Sequence, residues 1–186
     1  LGDVYKRQIM YPLTGAFMMT GTPIENSVWT GYLLITFFVV AGFAVYDTLY
    51  RRVPDRALAF FLPLAALAPL IQVYFILEYD RMPIFIWPIV TEALVGALLG
   101  FCIPLAAALA AGGNGMGGGD IKFCGVLGLV YGPSGMALVF LVAAVFAMPV
   151  VLLFRRLFRN QQPVAIPFLP FLACGCSVAT LAELFL

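Results

Sequence analysis

The sequence predicts an all-α membrane protein: a polytopic bundle of about six transmembrane helices, with the N-terminus and the C-terminus both outside. Composition, the spacing of apolar runs and the placement of basic residues each point there. Of the 186 residues, 63% are hydrophobic and 10% charged, with a mean hydropathy of +1.05, whereas about a quarter of the residues of a soluble domain are charged. The length accommodates about six spans of roughly 20 residues and short loops, leaving no room for a separate soluble domain. The net charge of +1 is not massed into a basic segment, so the expected partner is the lipid bilayer and not nucleic acid.

Six apolar runs match the bilayer core: Val28 to Tyr46, Ala57 to Leu77, Ile84 to Ala111, Ile121 to Tyr131, Gly135 to Phe154 and Ala165 to Leu186, the fourth being short. The first lies far from the start and lacks a basic flank and a small-residue cleavage site, so it reads as a retained helix rather than a signal peptide. Arg51, Arg52 and Arg56 follow the first run, Lys122 the third, and Arg155, Arg156 and Arg159 the fifth; these are seven of the ten basic residues. Arg81 lies on the opposite side. The positive-inside bias puts the basic loops in the cytoplasm. Trp29 and Trp87 fall near the predicted outer ends of their helices, where amphipathic rings favour the headgroup layer.

Residues 1–27 read as an N-terminal tail and residues 28–186 as a single transmembrane domain. The stretch Leu1 to Gln8, with Lys6 and Arg7, lacks an initiator Met and is expected to be a fusion or sequencing scar. Cys102, Cys124, Cys174 and Cys176 all lie in apolar runs, with no histidine beside them to complete a common zinc set. They read as small packing residues, and no metal or other cofactor is expected.

Two aspartates fall on the predicted cytoplasmic boundary. Asp47 closes the first run, and Asp120 opens the fourth after the glycine-rich stretch Gly112 to Gly119. An ionisable group at membrane depth is costly unless it is paired, hydrated or engaged in chemistry. For Asp47 a plain helix end in the wet headgroup layer accounts equally well. For Asp120 the glycines Gly115, Gly117, Gly118 and Gly119 weigh further, since they permit unusual dihedrals and close approach of another backbone. The stretch lacks the Gly-Lys-Ser/Thr ending of a phosphate-binding loop. Asp120 is expected near a helix N-terminus and Asp47 near a helix C-terminus, so that opposite helix fields separate their acidities. Two carboxylates sharing one proton hydrolyse a peptide with no serine, cysteine, metal or histidine, which suits a chain with no histidine.

These residues resemble the type IV prepilin peptidase family, membrane aspartic proteases with a Gly-x-Gly-Asp motif. Here the motif is Gly117-Gly118-Gly119-Asp120, followed by Ile121 and Lys122 in the family's "GDxK" form. Asp47 stands before Arg51-Arg52-Val53-Pro54-Asp55, as the family's first aspartate stands before a basic "IPN" segment. The stretch "IPFLPFLACG", Ile166 to Gly175, is similar to the family's "IPFGPFLA". Asp55 replaces the usual Asn and Leu169 the usual Gly, departures that bear on specificity more than on reaction type. The resemblance implies a membrane aspartic endopeptidase of the short, peptidase-only form, with Asp47 and Asp120 catalytic, Gly117, Gly118, Gly119 and Lys122 contacting substrate, and a prepilin or pseudopilin as substrate. It also implies a place in the bacterial inner membrane.

Other readings stand beside these. Lys122 reads either as a partner of the aspartates or of an acidic substrate residue, or as a positive-inside anchor. Glu92 is the one further acid at apparent membrane depth, toward the outer half, and is expected to hydrogen-bond a neighbouring helix. Asp55 competes with Asp47 as the first acid, but lies among arginines expected to pair with it in solvent. A rival of another class is a small ion- or proton-coupled transporter, in which Gly112 to Lys122 breaks a membrane helix and Asp120 holds the ion.

Overall fold

A computed structural model describes residues 23–78, 86–110, 112, 116–157 and 167–185. The expectations for Leu1 to Gln8, Arg81, Gly115, Arg159 and Ile166 lie outside the described residues. The described chain is all helix: α1 (Pro23–Tyr50), α2 (Asp55–Glu78), α3 (Ile86–Ala110), α4 (Gly118–Leu157) and α5 (Leu169–Phe185). By length and composition four of these can cross a membrane, over Ile24–Tyr50, Asp55–Glu78, Ile86–Ala110 and Gly118–Leu153, and α5 is a shorter apolar helix. The molecule is a polytopic membrane bundle whose outer faces carry side chains such as Phe38, Phe60 and Leu109, all largely exposed, as expected where lipid is the solvent.

Helix ends follow local chemistry. Helix α1 is described from Pro23, five residues before the predicted Val28. It runs past Asp47 to Tyr50 and stops where Arg51 turns left-handed (φ 52°) and donates its N–H to the Asp47 carbonyl at 2.7 Å, a single-bond helix cap. A side chain in this conformation costs about 1–2 kcal/mol. Arg51→Gly is therefore expected to raise the thermal midpoint in detergent, with a gain of roughly 1 kcal/mol; a lowered midpoint would show that the arginine side chain holds the corner. Helix α3 ends similarly, with Gly112 at φ 72° donating to the Leu109 carbonyl at 3.0 Å.

The sequence predicts two runs, Ile121 to Tyr131 and Gly135 to Phe154, and the 40 residues of α4 are likewise divided, at the Gly132-Pro133 pair. Gly132 takes φ 61°, ψ −172°, a conformation open essentially to glycine alone, and Pro133 removes a backbone donor. The element is two helical halves joined across this kink.

Small residues set the helix spacing. Gly96 of α3 lies against the backbone of Gly128 and Gly132, and Gly100 lies against Cys124, so α3 and the first half of α4 touch backbone to backbone. Gly175 of α5 meets the Val139 backbone in the second half of α4 in the same way. In the core, Tyr131 and Thr180 share a hydrogen bond of 2.9 Å, and Tyr32 of α1 donates to the Leu64 carbonyl of α2 at 3.1 Å. Cys124 and Cys176 are buried and Cys102 and Cys174 exposed, all with free thiols.

Two readings of the outer half change. Trp29 is not an interfacial anchor: only 4% of it is exposed, and it stacks on Tyr32 with ring centroids 5.5 Å apart; Trp87 is 73% exposed. Glu92 is not alone as an acid at depth. Glu25 is buried in the first turn of α1, and Glu183 of α5 hydrogen-bonds to Trp29. Both lie close to the ends of apolar runs, where a sequence reading assigns them to the interface. Glu92 is half-buried on α3 and makes no hydrogen bond to a neighbouring helix among the described residues.

Candidate active site

An aromatic triangle brings the ends of three helices together. Phe43 of α1, Phe61 of α2 and Phe123 of α4 have ring centroids 5.0 to 5.8 Å apart, spacings at which aromatic pairs attract beyond simple burial. Phe43 precedes Asp47 by one turn, and Phe123 follows Asp120 by three residues. Packing the rings therefore carries both aspartates to one end of the bundle.

Asp47 is buried, with 5% of its surface exposed. Its carboxylate accepts the backbone N–H of Leu169 at 3.2 Å. Leu169 is the first residue of α5, and an N–H at that position has no acceptor within its own helix. Phe168 acts as the cap, its carbonyl receiving the N–H groups of Phe171 and Leu172 at 3.1 and 3.3 Å.

Asp120 is half-buried in the first turn of α4. Gly117 caps that helix, its carbonyl accepting the N–H groups of Asp120 and Ile121 at 3.1 and 3.3 Å. The Asp120 carboxylate turns back to the Gly117 N–H, the one half of a capping box that a glycine cap, having no side chain, leaves possible. A Cβ on Gly117 would lie 3.4 Å from Asp120 Oδ2. Asp47 and Asp120 lie within electrostatic reach of each other.

This changes one expectation. Asp47 does sit in the last turn of α1, but it also faces the N-terminus of α5. Both carboxylates thus meet donor ends of helices, and the contrast in helix fields expected from the sequence is offset. Leu169 is a site residue through its backbone, which side-chain chemistry in the sequence does not signal; its place in the "IPFLPFLACG" stretch is the signal available.

The glycines divide by role. Gly119 lies against Val53, where an added Cβ would come within 2.9 Å of Val53 Cβ; the chain approaching this glycine is the protein's own α1–α2 corner. Gly118 is exposed with open space around it, and Gly117 is exposed beside the carboxylate. None of the three has a positive φ, so closeness and not an unusual dihedral is what their missing side chains allow.

Lys122 forms an ion pair of 2.9 Å with Asp55, both side chains being largely exposed. Asp55 therefore pairs across to α4 rather than with its neighbouring arginines. The stretch from Gly112 to Gly117 also does not interrupt one helix: it joins α3 and α4, which lie side by side through Gly100 and Cys124. That arrangement counts against the broken-helix transporter.

The fold and this end of the bundle define a class: a multi-pass α-helical membrane protein with two acidic side chains gathered on helix N-termini beside a glycine turn. The family model of the type IV leader peptidase family matches residues 32–152. Over 162 residues the chain is 36% identical to the prepilin leader peptidase/N-methyltransferase of Bacillus subtilis (strain 168), a match covering 85% of this chain and 57% of that relative. The chain thus spans a little over half the length of the curated relative. No solved structure matches it. The chain belongs to the type IV leader peptidase family, an inner-membrane family.

Proposed function

We infer that the protein is a membrane-embedded aspartic endopeptidase that removes the leader peptide of a prepilin or pseudopilin at the cytoplasmic membrane face. The observation that carries the reading is the neighbouring pair Asp47 and Asp120, each held by a backbone N–H at a helix start, in a chain of this family. Asp47 and Asp120 share one proton. The ionised carboxylate takes a proton from water as the water oxygen attacks the scissile carbonyl carbon, while the other carboxyl gives its proton to the carbonyl oxygen. Collapse of the tetrahedral intermediate re-forms the carbonyl and breaks the C–N bond, with a proton delivered to the leaving nitrogen. The pair returns to its one-proton state.

The exposed backbone at Gly118 and Gly117 receives the substrate chain, since no side chain stands between it and Asp120. Helices α1 to α5 act as one transmembrane peptidase domain, and α4 contributes two of six crossings. A straight helix of 40 residues would be about 60 Å long, twice the hydrocarbon thickness. Tyr131 pairs with Thr180, yet Val139 meets Gly175, nearer the start of α5, a pairing that supports a second half of α4 running back toward the aspartate end. With the basic loops in the cytoplasm, both chain ends are outside.

The test is co-expression of the intact chain with a panel of leader-bearing pilin precursors, following leader removal by electrophoretic shift and mass. Cleavage at the junction between leader and hydrophobic helix is expected. No cleavage of any precursor, together with cation- or proton-driven uptake by the purified chain in liposomes, would replace the peptidase with the transporter.

A further inference from the structure

We propose that the Asp55–Lys122 ion pair is a positioning clamp, which registers the corner that follows Asp47 against the turn that carries Asp120. The inference rests on the peptidase reading for its kinetic consequences and on geometry for its existence. Asp55 is the first residue of α2, and Lys122 lies two residues beyond Asp120. Their 2.9 Å contact spans 67 positions of sequence, joining the two segments that deliver the two carboxylates.

The corner between α1 and α2 is held at three places. Asp47 is held from α5 by the Leu169 N–H. Val53 packs on Gly119. Lys122 then ties down the far side of the corner at Asp55. The first contact acts on a single acid and the second is van der Waals packing without direction. Among the described residues the ion pair alone links the two segments by a directional, charged contact, and so sets how far the α2 start can swing relative to the first turn of α4. Such an exposed pair contributes little to folding, whereas small displacements of reacting groups are heavily penalised in rate. Its effect therefore falls on catalysis more than on stability. Asp55 and Lys122 are positioning residues in this account, and neither touches the scissile bond.

The experiment compares the parent protein with Lys122→Asp, Asp55→Lys and the reversed pair Asp55→Lys/Lys122→Asp, in nanodiscs, on a cleavable pilin precursor. Each single reversal sets like charges together and is expected to lower kcat about tenfold with KM within about twofold. The reversed pair is expected to return to within about threefold of the parent. If Lys122 instead binds an acidic group of the substrate, Lys122→Asp raises KM and the reversed pair stays impaired, which overturns the clamp. Single reversals within about twofold of the parent also overturn it.

A second arm does not depend on activity. Nitroxide labels at Arg52→Cys and Gly118→Cys, both exposed positions, report the separation of the two segments after Cys102 and Cys174 are changed to serine. A narrow distance distribution is expected in the parent and the reversed pair, broadened by a few ångströms in either single reversal. Identical distributions in all four overturn the proposal. A parent that cleaves no precursor yet shows this pattern removes the peptidase reading and leaves the clamp standing.

Discussion

Asparagine at position 47 or 120 is expected to reduce leader removal by about a thousandfold or more while leaving the protein folded in the membrane. Acid–base groups contribute about 10²–10⁴ in rate, and in a proton-sharing pair neither member works alone. The substitution is close to isosteric and retains a carbonyl oxygen, so the N–H of Leu169 still finds an acceptor at position 47, and that of Gly117 at position 120. It loses the capacity to take or give the proton. Because the two act as a unit, Asp47→Asn/Asp120→Asn should be no slower than either single variant. Asp47→Ala should differ, since it strands a buried N–H at the start of α5 at a cost of about 1–3 kcal/mol. Processed and unprocessed substrate, quantified by mass at equal enzyme in the membrane, provide the measurement. Cleavage retained in either asparagine variant removes that residue from the mechanism.

Gly128→Leu is expected to prevent the bundle from assembling. A side chain there would run into the backbone carbonyl of Gly96, and neither backbone can yield without separating α3 from α4. Overpacking against side chains costs about 1–3 kcal/mol, but here no rotamer is available to relieve it, and a loss of about 4 kcal/mol or more is comparable with the whole stability of many domains. Gly31→Ala is the matched control, for an added Cβ at Gly31 meets nothing within 4 Å. Expression level and a single symmetrical size-exclusion peak in mild detergent distinguish the two: loss of the peak for Gly128→Leu alone is expected. A well-behaved Gly128→Leu would show that the two helices do not touch through these glycines.

Much of this was legible without coordinates. Membrane spans depend on the summed hydropathy of about 20 consecutive residues, a property of the chain alone, so the helical membrane class and the approximate positions of the first three membrane helices were open to reading. Asp47 and Asp120 stood out because carboxylates are rare in such runs and one follows a glycine stretch. Four matters were decided only by tertiary structure. Trp29 went into the core because α1 turns that face toward Glu183, and hydropathy has no direction. Leu169 joined the site through its backbone N–H, a group that every non-proline residue carries, so its side chain gave no signal and only its place in the "IPFLPFLACG" stretch pointed to it. Gly119 met Val53 because the triangle of Phe43, Phe61 and Phe123 draws the helix ends together. Asp55 chose Lys122 over the nearby arginines, since ion pairing follows distance in space, and 67 intervening positions hid how close the two would lie.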